Sequence, residues 1–260
     1  MTANGYREGD VVYEARAISK RFGPIEACVD IDLRLRRGEI TAIIGDNGAG
    51  KSTLIKMLTG AMHPDEGDLV LRGEPVRFHS PLEARLKGVE VVYQELGLAP
   101  NLDVTANIFL GREIKRRIGG FLPALDVKQM TELARKEVAG LDINIPAVSG
   151  VTVGRMSGGQ RQCVAIARAV YWSSDVLFLD EPTAALGVRE SEAVLRLVRH
   201  IRERGVAVVM ISHAMPHVKD LADHVVVLKH GRKVADLRHE ELSISQLVHL
   251  IVEGSAAQAA

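Results

Sequence analysis

The segment GDNGAGKST, residues 45–53, lies between an apolar run, ITAIIG, and a helix-like run, KSTLIKMLTGA. It matches the pattern G-x-x-x-x-G-K-[ST] at Gly45, Gly50, Lys51 and Ser52, with a strand before it and a helix after it. In such a loop the backbone N–H groups surround a phosphate, the lysine contacts the β- and γ-oxygens, and the hydroxyl can bind Mg²⁺. The segment therefore predicts an α/β fold that binds a nucleoside triphosphate.

Other apolar runs have the length and composition of strands that are buried on both faces. They cover residues 40–45, 89–93, 176–180 and 206–212. Such runs are typical of a mainly parallel sheet covered by helices. Residues 190–204 have apolar side chains at helical spacing and precede Gly205, so we expect a helix that covers this sheet.

Two further regions have different patterns. Strands wetted on one side alternate apolar and polar residues, as the first forty residues do, and DLVLRGEPVRF predicts a hairpin that turns at 72–74. These features predict an antiparallel β layer. From about residue 95 to 172 we expect a mostly helical insertion, with one helix from a capping box at Asp126 and Gln129 to Gly140. The tail SISQLVHLIVEG predicts a last helix.

The composition of the chain limits its function classes. The 260 residues are 47% hydrophobic, and 33 basic residues balance 33 acidic ones, which disfavours a nucleic-acid partner. Cys28 and Cys163 lack metal-ligand spacing, so we expect small buried apolar residues in a reduced, cytosolic setting. The N-terminus has no apolar signal segment, and no apolar run approaches the roughly 20 residues that a span requires. We therefore expect that the chain crosses no membrane.

Polar residues follow three of the predicted strands. VLFLDEPT places Asp180 and Glu181 at a strand end, where ligands gather in open α/β sheets. Asp180 is placed to hold Mg²⁺, and Glu181 is the natural general base for a water that attacks the γ-phosphate. His213 and Gln94 follow two other predicted strands. The chemistry that these residues favour is hydrolysis of a nucleoside triphosphate.

A second anion site is predicted about a hundred residues after the first. Ser157, Gly158, Gly159 and Gln160 precede the apolar run CVAIARAVYW. A hydroxyl, two glycines and an amide at a helix start leave backbone N–H groups bare beside the positive end of the helix dipole. The residues alone do not say which phosphate this second site serves.

The order and spacing of these motifs resemble those of the ATP-binding subunits of ABC transporters, from about residue 13 to 231. The resemblance implies a P-loop NTPase with a RecA-like parallel-sheet core, an antiparallel β layer and an inserted α-helical subdomain. It makes 1–260 a single ATPase domain, with 1–94 and 172–260 forming the β layer and core and 95–171 forming the helical subdomain that carries SGGQ.

The resemblance also implies a role for each matching residue. Glu181 matches the catalytic carboxylate, and His213 matches the switch histidine. Gln94 matches a glutamine that binds Mg²⁺ and couples the subunits. Ser52 and Asp180 match the other Mg²⁺ ligands. ATP contacts are implied for Phe22, which would stack on adenine, and for Gly45, Asn47, Gly48, Gly50, Lys51, Ser52 and Thr53. In this family Ser157, Gly158, Gly159 and Gln160 contact the ATP of a partner subunit. The chain is therefore expected to work as a dimer, and one copy of each motif favours a homodimer.

A narrower resemblance lies in VVYQELGLAPNLDVTANIFLGRE, residues 91–113, and in TAALG. Both are similar to ATPases of ribose- and fructose-type monosaccharide importers, many of which carry two such halves in one chain. The resemblance implies transmembrane permease subunits, which would contact residues 95–111, and indirectly a periplasmic sugar-binding protein. It also implies a peripheral position on the cytoplasmic face of the inner membrane. The cargo sugar, the direction of transport and the identity of the partner ATPase remain open.

Two positions depart from the family pattern. Met156 replaces the usual leucine before SGGQ. Gly187 stands where the common family pattern ALD has an aspartate. That aspartate normally helps to link the two ATP sites, so its absence puts tight coupling between these sites in doubt. Alternative functions are an ABC exporter ATPase, a soluble ABC ATPase of translation or DNA repair, and a phosphate-loop kinase of small metabolites. The translation factors carry two ATPase halves, the repair ATPases carry long coiled coils, and such kinases do not need SGGQ.

Overall fold

A computed structural model describes residues 9–118, 121–173, 175–241 and 243–254. The strands of this part are β1 Val11–Phe22, β2 Ile25–Arg36, β3 Ile40–Ile44, β4 Glu66–Leu71, β5 Glu74–Val76, β6 Val89–Val92, β7 Lys115–Ile118, β8 Leu122–Leu125, β9 Val176–Asp180, β10 Ala207–Ile211, β11 His224–Lys229 and β12 Arg232–Arg238. The α-helices are α1 Lys51–Leu58, α2 Pro81–Leu86, α3 Val104–Phe109, α4 Val127–Gly140, α5 Gly158–Trp172, α6 Val188–Glu203, α7 Met215–Leu221 and α8 Ile244–Glu253.

The central sheet has the strand order β12-β11-β3-β10-β9-β6. It is parallel except for β12, which pairs antiparallel with β11. Parallel pairing brings the carboxyl ends of β3, β9, β10 and β6 to one edge, so the segments that follow these strands begin there. The α/β class and the mainly parallel sheet are confirmed.

A second sheet, with the order β2-β1-β4-β5, is antiparallel. Its β4–β5 hairpin turns at Arg72 and Gly73, which both have positive φ, 55° and 82°. The predicted β layer and its hairpin are therefore confirmed. Alternation in β2 reflects burial on one face, since Ile31, Leu33 and Leu35 are buried while the residues between them are exposed.

The chain divides into two compact units. The sheet unit comprises the described residues of Met1–Gln94, Ser173–Pro182 and Ile201–Ala260, and the helical unit comprises Glu95–Trp172 and Thr183–His200. Apolar side chains of the two sheets and of α1 form the core of the sheet unit. In the helical unit, side chains of α3, α4 and α5 surround Phe109, which is fully buried. The functional domain boundaries expected from the sequence stay predictions.

The predicted helices are present with short shifts at their ends. The Asp126 side chain accepts the N–H of Gln129 at 3.0 Å, which starts α4 as expected. In α6, Val194, Leu197, Val198 and Ile201 are buried, in agreement with the helical spacing. The predicted last helix is α8. Within the described ranges no helix combines the length and the hydropathy of a membrane-spanning segment.

The helical unit also contains a β-hairpin, β7–β8, that the sequence reading did not predict. The sequence KRRI–GG–FLPAL contains a signal for it, since two glycines separate two short runs. The basic side chains of KRRI hid the strand from a reading based on apolar alternation.

Candidate active site

The loop between β3 and α1 has the geometry of an anion site. Gly50 has a φ of 101°, and a Cβ at this position would collide with the carbonyl oxygen of Ala27, so only glycine fits. No side chain caps the start of α1, which leaves the first N–H groups of the helix available to a ligand. The Lys51 ammonium donates to the carbonyl oxygens of Gly45 and Asp46, at 2.7 and 2.8 Å. These two hydrogen bonds fix the Lys51 ammonium against the backbone of its own loop.

This loop forms one wall of a cleft of about 340 Å³ in the sheet unit. Its volume lies within the range of small-molecule sites. Ten residues predicted from the sequence line it: Asn47, Gly48, Gly50, Lys51, Ser52, Thr53, Gln94, Asp180, Glu181 and His213. The strand order thus brings together side chains that are separated by more than a hundred residues in the sequence.

Asp180 and Glu181 lie at the far wall of the cleft in different backbone conformations. Asp180 is the last residue of β9, whereas Glu181 has a φ of 51° and donates its N–H to the Ile211 carbonyl at 3.1 Å. A positive φ is uncommon for a residue with a side chain and often marks a functional site. The two adjacent carboxylates therefore leave the strand in different directions. Glu181 Oε1 lies 3.2 Å from Nε2 of His213.

Burial dominates the electrostatics of this cluster. It raises the pKa of Asp180 although Lys51, Lys56 and His213 favour the ionised form. Burial likewise raises the pKa of Glu181, and the interaction with His213 partly offsets this effect. The pKa of Lys51 is lowered by burial, against the attraction of Glu181, Asp46 and Asp180. A raised carboxyl pKa moves a group toward the range in which it exchanges protons with a reacting water.

The donor set fits Mg²⁺. A hydroxyl from Ser52, an amide oxygen from Gln94 and a carboxylate from Asp180 line the same cleft, and hard oxygen ligands are those that Mg²⁺ prefers. Glu181 Oε1 is buried and has no hydrogen-bond partner, although His213 Nε2 lies 3.2 Å away. A buried carboxylate oxygen without a partner is costly unless a bound group or water satisfies it.

The segment Ser157–Gln160 starts α5 in the helical unit. Its Ser157 hydroxyl accepts the N–H of Gln160 at 3.2 Å, and the Gln160 side chain accepts the N–H of Ser157 at 3.0 Å. This is a capping box, so the segment satisfies two of its own backbone donors. The Ser157 hydroxyl keeps its proton for another acceptor. Met156, which departs from the family pattern, is buried in the apolar core of the helical unit.

Gly159 and Gly187 both lie against one side chain, Glu190. A Cβ on Gly159 would lie 2.5 Å from Glu190 Cγ, and a Cβ on Gly187 would lie 2.6 Å from Glu190 Oε2. Gly187 also starts α6, since its carbonyl accepts the N–H of Ser191 at 2.9 Å. The Glu190 carboxylate therefore lies beside the position at which the family pattern has an aspartate.

Two of the residues predicted to bind ATP on the same subunit do not line the cleft. Gly45 is not in the lining, and its carbonyl accepts a hydrogen bond from the Lys51 ammonium. Phe22 ends β1 and is 45% exposed, but it pairs across the strands with Ile25, which does line the cleft. Sequence reasoning missed the lining residues Ile25, Glu26, Ala27 and Ile211. The only signal for Ile25 was a large apolar residue directly after the turn at Gly23 and Pro24.

Cys28 and Cys163 are free and buried, as expected from their spacing. Burial raises the pKa of each thiol to about 11, so both are protonated at neutral pH. A protonated, buried thiol is a poor nucleophile. Cys28 packs under the phosphate loop, where its Sγ lies 3.6 Å from the Gly50 carbonyl oxygen.

Comparison with known structures supports the fold. A nucleotide-free ATP-binding cassette from an ABC transporter is 25% identical and superposes with a TM-score of 0.79, covering 94% of this chain and 98% of that one. A dimeric ATP-binding cassette bound to ADP and Pi in a post-hydrolysis state is 22% identical, with a TM-score of 0.72 and coverage of 88% and 100%.

Comparison with known sequences identifies the family. The family model described as ABC transporter matches residues 28–184. The chain is 44% identical over 239 residues to the fructose import ATP-binding protein FrcA of Rhizobium meliloti, covering 91% of this chain and 92% of that protein. It is 41% identical to the xylose/arabinose import ATP-binding protein XylG of Sulfolobus acidocaldarius, with 92% of each covered.

The ribose import ATP-binding protein RbsA of Rhodopirellula baltica is 40% identical, and the match covers 94% of this chain but 46% of that protein. The chain thus spans about half of that relative and nearly the whole of FrcA and XylG. These matches confirm both the general and the narrower resemblance that the motifs indicated. The chain belongs to the ABC transporter family, as an ATP-binding cassette that hydrolyses ATP.

Proposed function

We propose that this chain is the ATPase subunit of an importer for a monosaccharide. The observation that carries the hydrolytic part is the cleft in which the phosphate loop faces Asp180, Glu181 and His213. The transport part rests on identity over nearly the whole chain to relatives that are named as importers of fructose and of xylose or arabinose. Those names also favour import over export and over a role in translation or DNA repair.

In the proposed mechanism the sheet unit holds the triphosphate by its backbone. The free N–H groups of Lys51, Ser52 and Thr53 and the Lys51 ammonium bind the β- and γ-phosphates. Contacts from Asn47, Gly48 and the backbone at Gly45 and Gly50 complete this cradle. Phe22 stacks on the adenine ring, beside Ile25, whose exposed side chain extends the same wall.

Glu181 is the general base of the proposed reaction. Its carboxylate accepts the proton of the attacking water, and His213, 3.2 Å away, contacts the γ-phosphate and holds the carboxylate in place. Gln94 orients the water and couples the site to the permease subunits. Ser52, Gln94 and Asp180 are the residues that would hold Mg²⁺. When bound, Mg²⁺ neutralises phosphate charge and aligns the phosphate oxygens.

The second anion site completes the reaction in a dimer. Ser157, Gly158, Gly159 and Gln160 of one copy contact the γ-phosphate on the phosphate loop of the other. The Ser157 hydroxyl retains a proton to donate, as its geometry allows. ATP then joins two copies, and hydrolysis releases them, which is the motion that permease subunits would use. The homodimer would sit at the cytoplasmic face of the inner membrane, and a periplasmic sugar-binding protein would deliver the cargo.

The test is affinity capture with a tagged Glu181→Gln protein, from detergent-solubilised membranes, in the presence of ATP. Recovery of a multi-span permease together with a periplasmic sugar-binding protein is the expected result, and it names the sugar. Recovery of ribosomes or DNA in place of a permease would overturn the transport proposal. Glu192→Gln, an exposed carboxylate on α6, is the matched control. It should retain ATP hydrolysis and capture the permease without trapping the dimer.

A further inference from the structure

The hairpin β7–β8 presents basic and apolar side chains to solvent. We call residues 115–117 and 121–125 the basic hairpin. Lys115, Arg116 and Arg117 on its first strand are exposed. Next to them, Phe121 is 90% exposed and Leu122 is 69% exposed. Large apolar side chains exposed together, rather than singly, mark an interaction surface.

The pairing of the strands places no acid opposite the basic residues. Lys115 pairs with Leu125, Arg116 with Ala124 and Arg117 with Pro123. Cross-strand partners share one face of a hairpin, so each basic residue lies beside an apolar or small one. The segment from Arg112 to Arg117 has four basic side chains and one acidic side chain. The hairpin thus combines a local positive charge with exposed apolar groups.

The base of the hairpin is fixed to the core of the helical unit. The N–H of Asp126 donates to the carbonyl of Ile114 at 2.8 Å, and Ile114 packs against the apolar core of that unit. The Arg112 guanidinium lies over the Trp172 ring, 4.6 Å from its centroid. These contacts hold the hairpin on the unit without using Phe121 or Leu122.

We propose that the basic hairpin binds the surface of an anionic phospholipid bilayer. This proposal rests on the proposed function, which brings the chain to a membrane. Lysine and arginine near such a surface are attracted by its negative potential, and exposed aromatic and aliphatic side chains enter the interfacial region. The apolar groups stand out from the hairpin, which suits a soft interface better than the pocket or groove of a protein partner.

The expected affinity follows from the number of charges. Each basic side chain near an anionic surface strengthens binding by about fivefold, so the three on β7 together account for roughly a hundredfold. Partial insertion of Phe121 adds about tenfold. Binding of this strength is weak and reversible, comparable to that of one lipid chain. The hairpin would therefore orient the cassette at the bilayer and would not anchor it alone.

The experiment is sedimentation of the purified full chain with vesicles, either of phosphatidylcholine alone or of phosphatidylcholine with one-third phosphatidylglycerol. The parent chain should bind the anionic vesicles, and added salt should weaken the binding. Lys115→Gln/Arg116→Gln/Arg117→Gln should reduce it about a hundredfold, and Phe121→Ser about tenfold. The control, Lys128→Gln/Arg135→Gln/Lys136→Gln, removes the same charge from exposed positions of α4 in the same unit and should bind like the parent.

Several results would overturn the proposal. They are the absence of binding to anionic vesicles, equal losses in the hairpin and α4 variants, and undiminished binding by the hairpin variant. Loss of permease capture by the hairpin variant, with no vesicle binding by the parent, would assign the surface to a protein partner instead. Vesicle binding needs neither ATP nor a permease, so failure here differs from failure of the transport proposal. Melting curves and ATP hydrolysis of the hairpin variant should match those of the parent.

Discussion

Substitution of Gly159 by alanine tests whether the start of α5 is set by its contact with Glu190. Both Gly158 and Gly159 are in the first turn of this helix, but their surroundings differ. A Cβ on Gly159 would lie 2.5 and 2.6 Å from Cγ and Cβ of Glu190, atoms that are close to the backbone of α6. A Cβ on Gly158 would meet only the Cδ2 of Leu186, at 3.3 Å.

These contacts determine the size of the expected effect. Alanine in place of a helical glycine gains up to about 1 kcal/mol of helix stability, and this gain applies to both positions. At Gly159 the added methyl also forces α5 and α6 apart locally, and overpacking of this kind costs about 1–3 kcal/mol. Gly159→Ala should therefore be less stable than Gly158→Ala by about 1–3 kcal/mol. In a chain of this size that difference corresponds to about 2–12 °C in melting temperature.

The assay compares thermal unfolding and ATP hydrolysis of the two variants with those of the parent. Gly159→Ala should melt lower and turn over ATP more slowly, because the N–H groups of Ser157–Gln160 shift. Glu190→Gly removes both clashing atoms. The double variant Gly159→Ala/Glu190→Gly should therefore melt at a higher temperature than Glu190→Gly alone. If Gly159→Ala melts at or above Gly158→Ala, Glu190 does not constrain the start of α5 and the reasoning fails.

Three further changes have expected outcomes. Glu181→Gln should lower turnover by about 10²–10⁴-fold while ATP still binds. In the parent, the acid limb of kcat against pH should lie above 4.5, because burial raises the pKa of Glu181 and this base must be ionised to act. An acid limb at the ordinary carboxyl pKa would contradict this. Gly187→Asp should displace the Glu190 carboxylate and change the turnover of ATP roughly fivefold, which corresponds to about 1 kcal/mol in activation free energy. Unchanged kinetics would show that position 187 has no role in turnover. The His224 hydrogen bond and Lys233 hold the pKa of Asp236 well below its usual range, so ionised Asp236 stabilises the fold above the unfolded-state pKa. Asp236→Asn should therefore lower the free energy of unfolding by about 1 kcal/mol at pH 7, and this difference should diminish as the pH falls below about 4. Melting curves of both proteins across this pH range measure the difference. A difference that does not change with pH would refute the prediction.

The site could be predicted from sequence because its residues follow strands. Asp180 and Gln94 end or follow buried apolar runs, and parallel pairing takes the ends of such runs to one edge of the sheet. The phosphate loop needs no long-range information, since its glycines and lysine act within nine residues. Motif spacing was therefore sufficient for most of the cleft lining on the side of the central sheet, and only Ile211 at the end of β10 was missed there.

Other parts of the site depend on contacts that no local pattern encodes. Ile25, Glu26 and Ala27 reach the cleft only because β2 passes the phosphate loop, where the Ala27 carbonyl abuts Gly50. Glu190 lies beside Gly159 although the two are 31 positions apart in the numbering, on different helices. The β7–β8 hairpin was missed because its strands pair with each other and bury little, so the alternation of burial that reveals a strand is absent.

The starts of α1 and α5 are built differently, and the difference suits the roles proposed for them. At α1 no side chain caps the helix, so its first N–H groups depend on a ligand or on water. At α5 the Ser157–Gln160 capping box supplies two of the missing partners from the segment itself. A start that is already capped loses little when a phosphate leaves it. We infer that the uncapped site keeps ATP on its own subunit, while the capped site makes a contact that can form and break in each cycle.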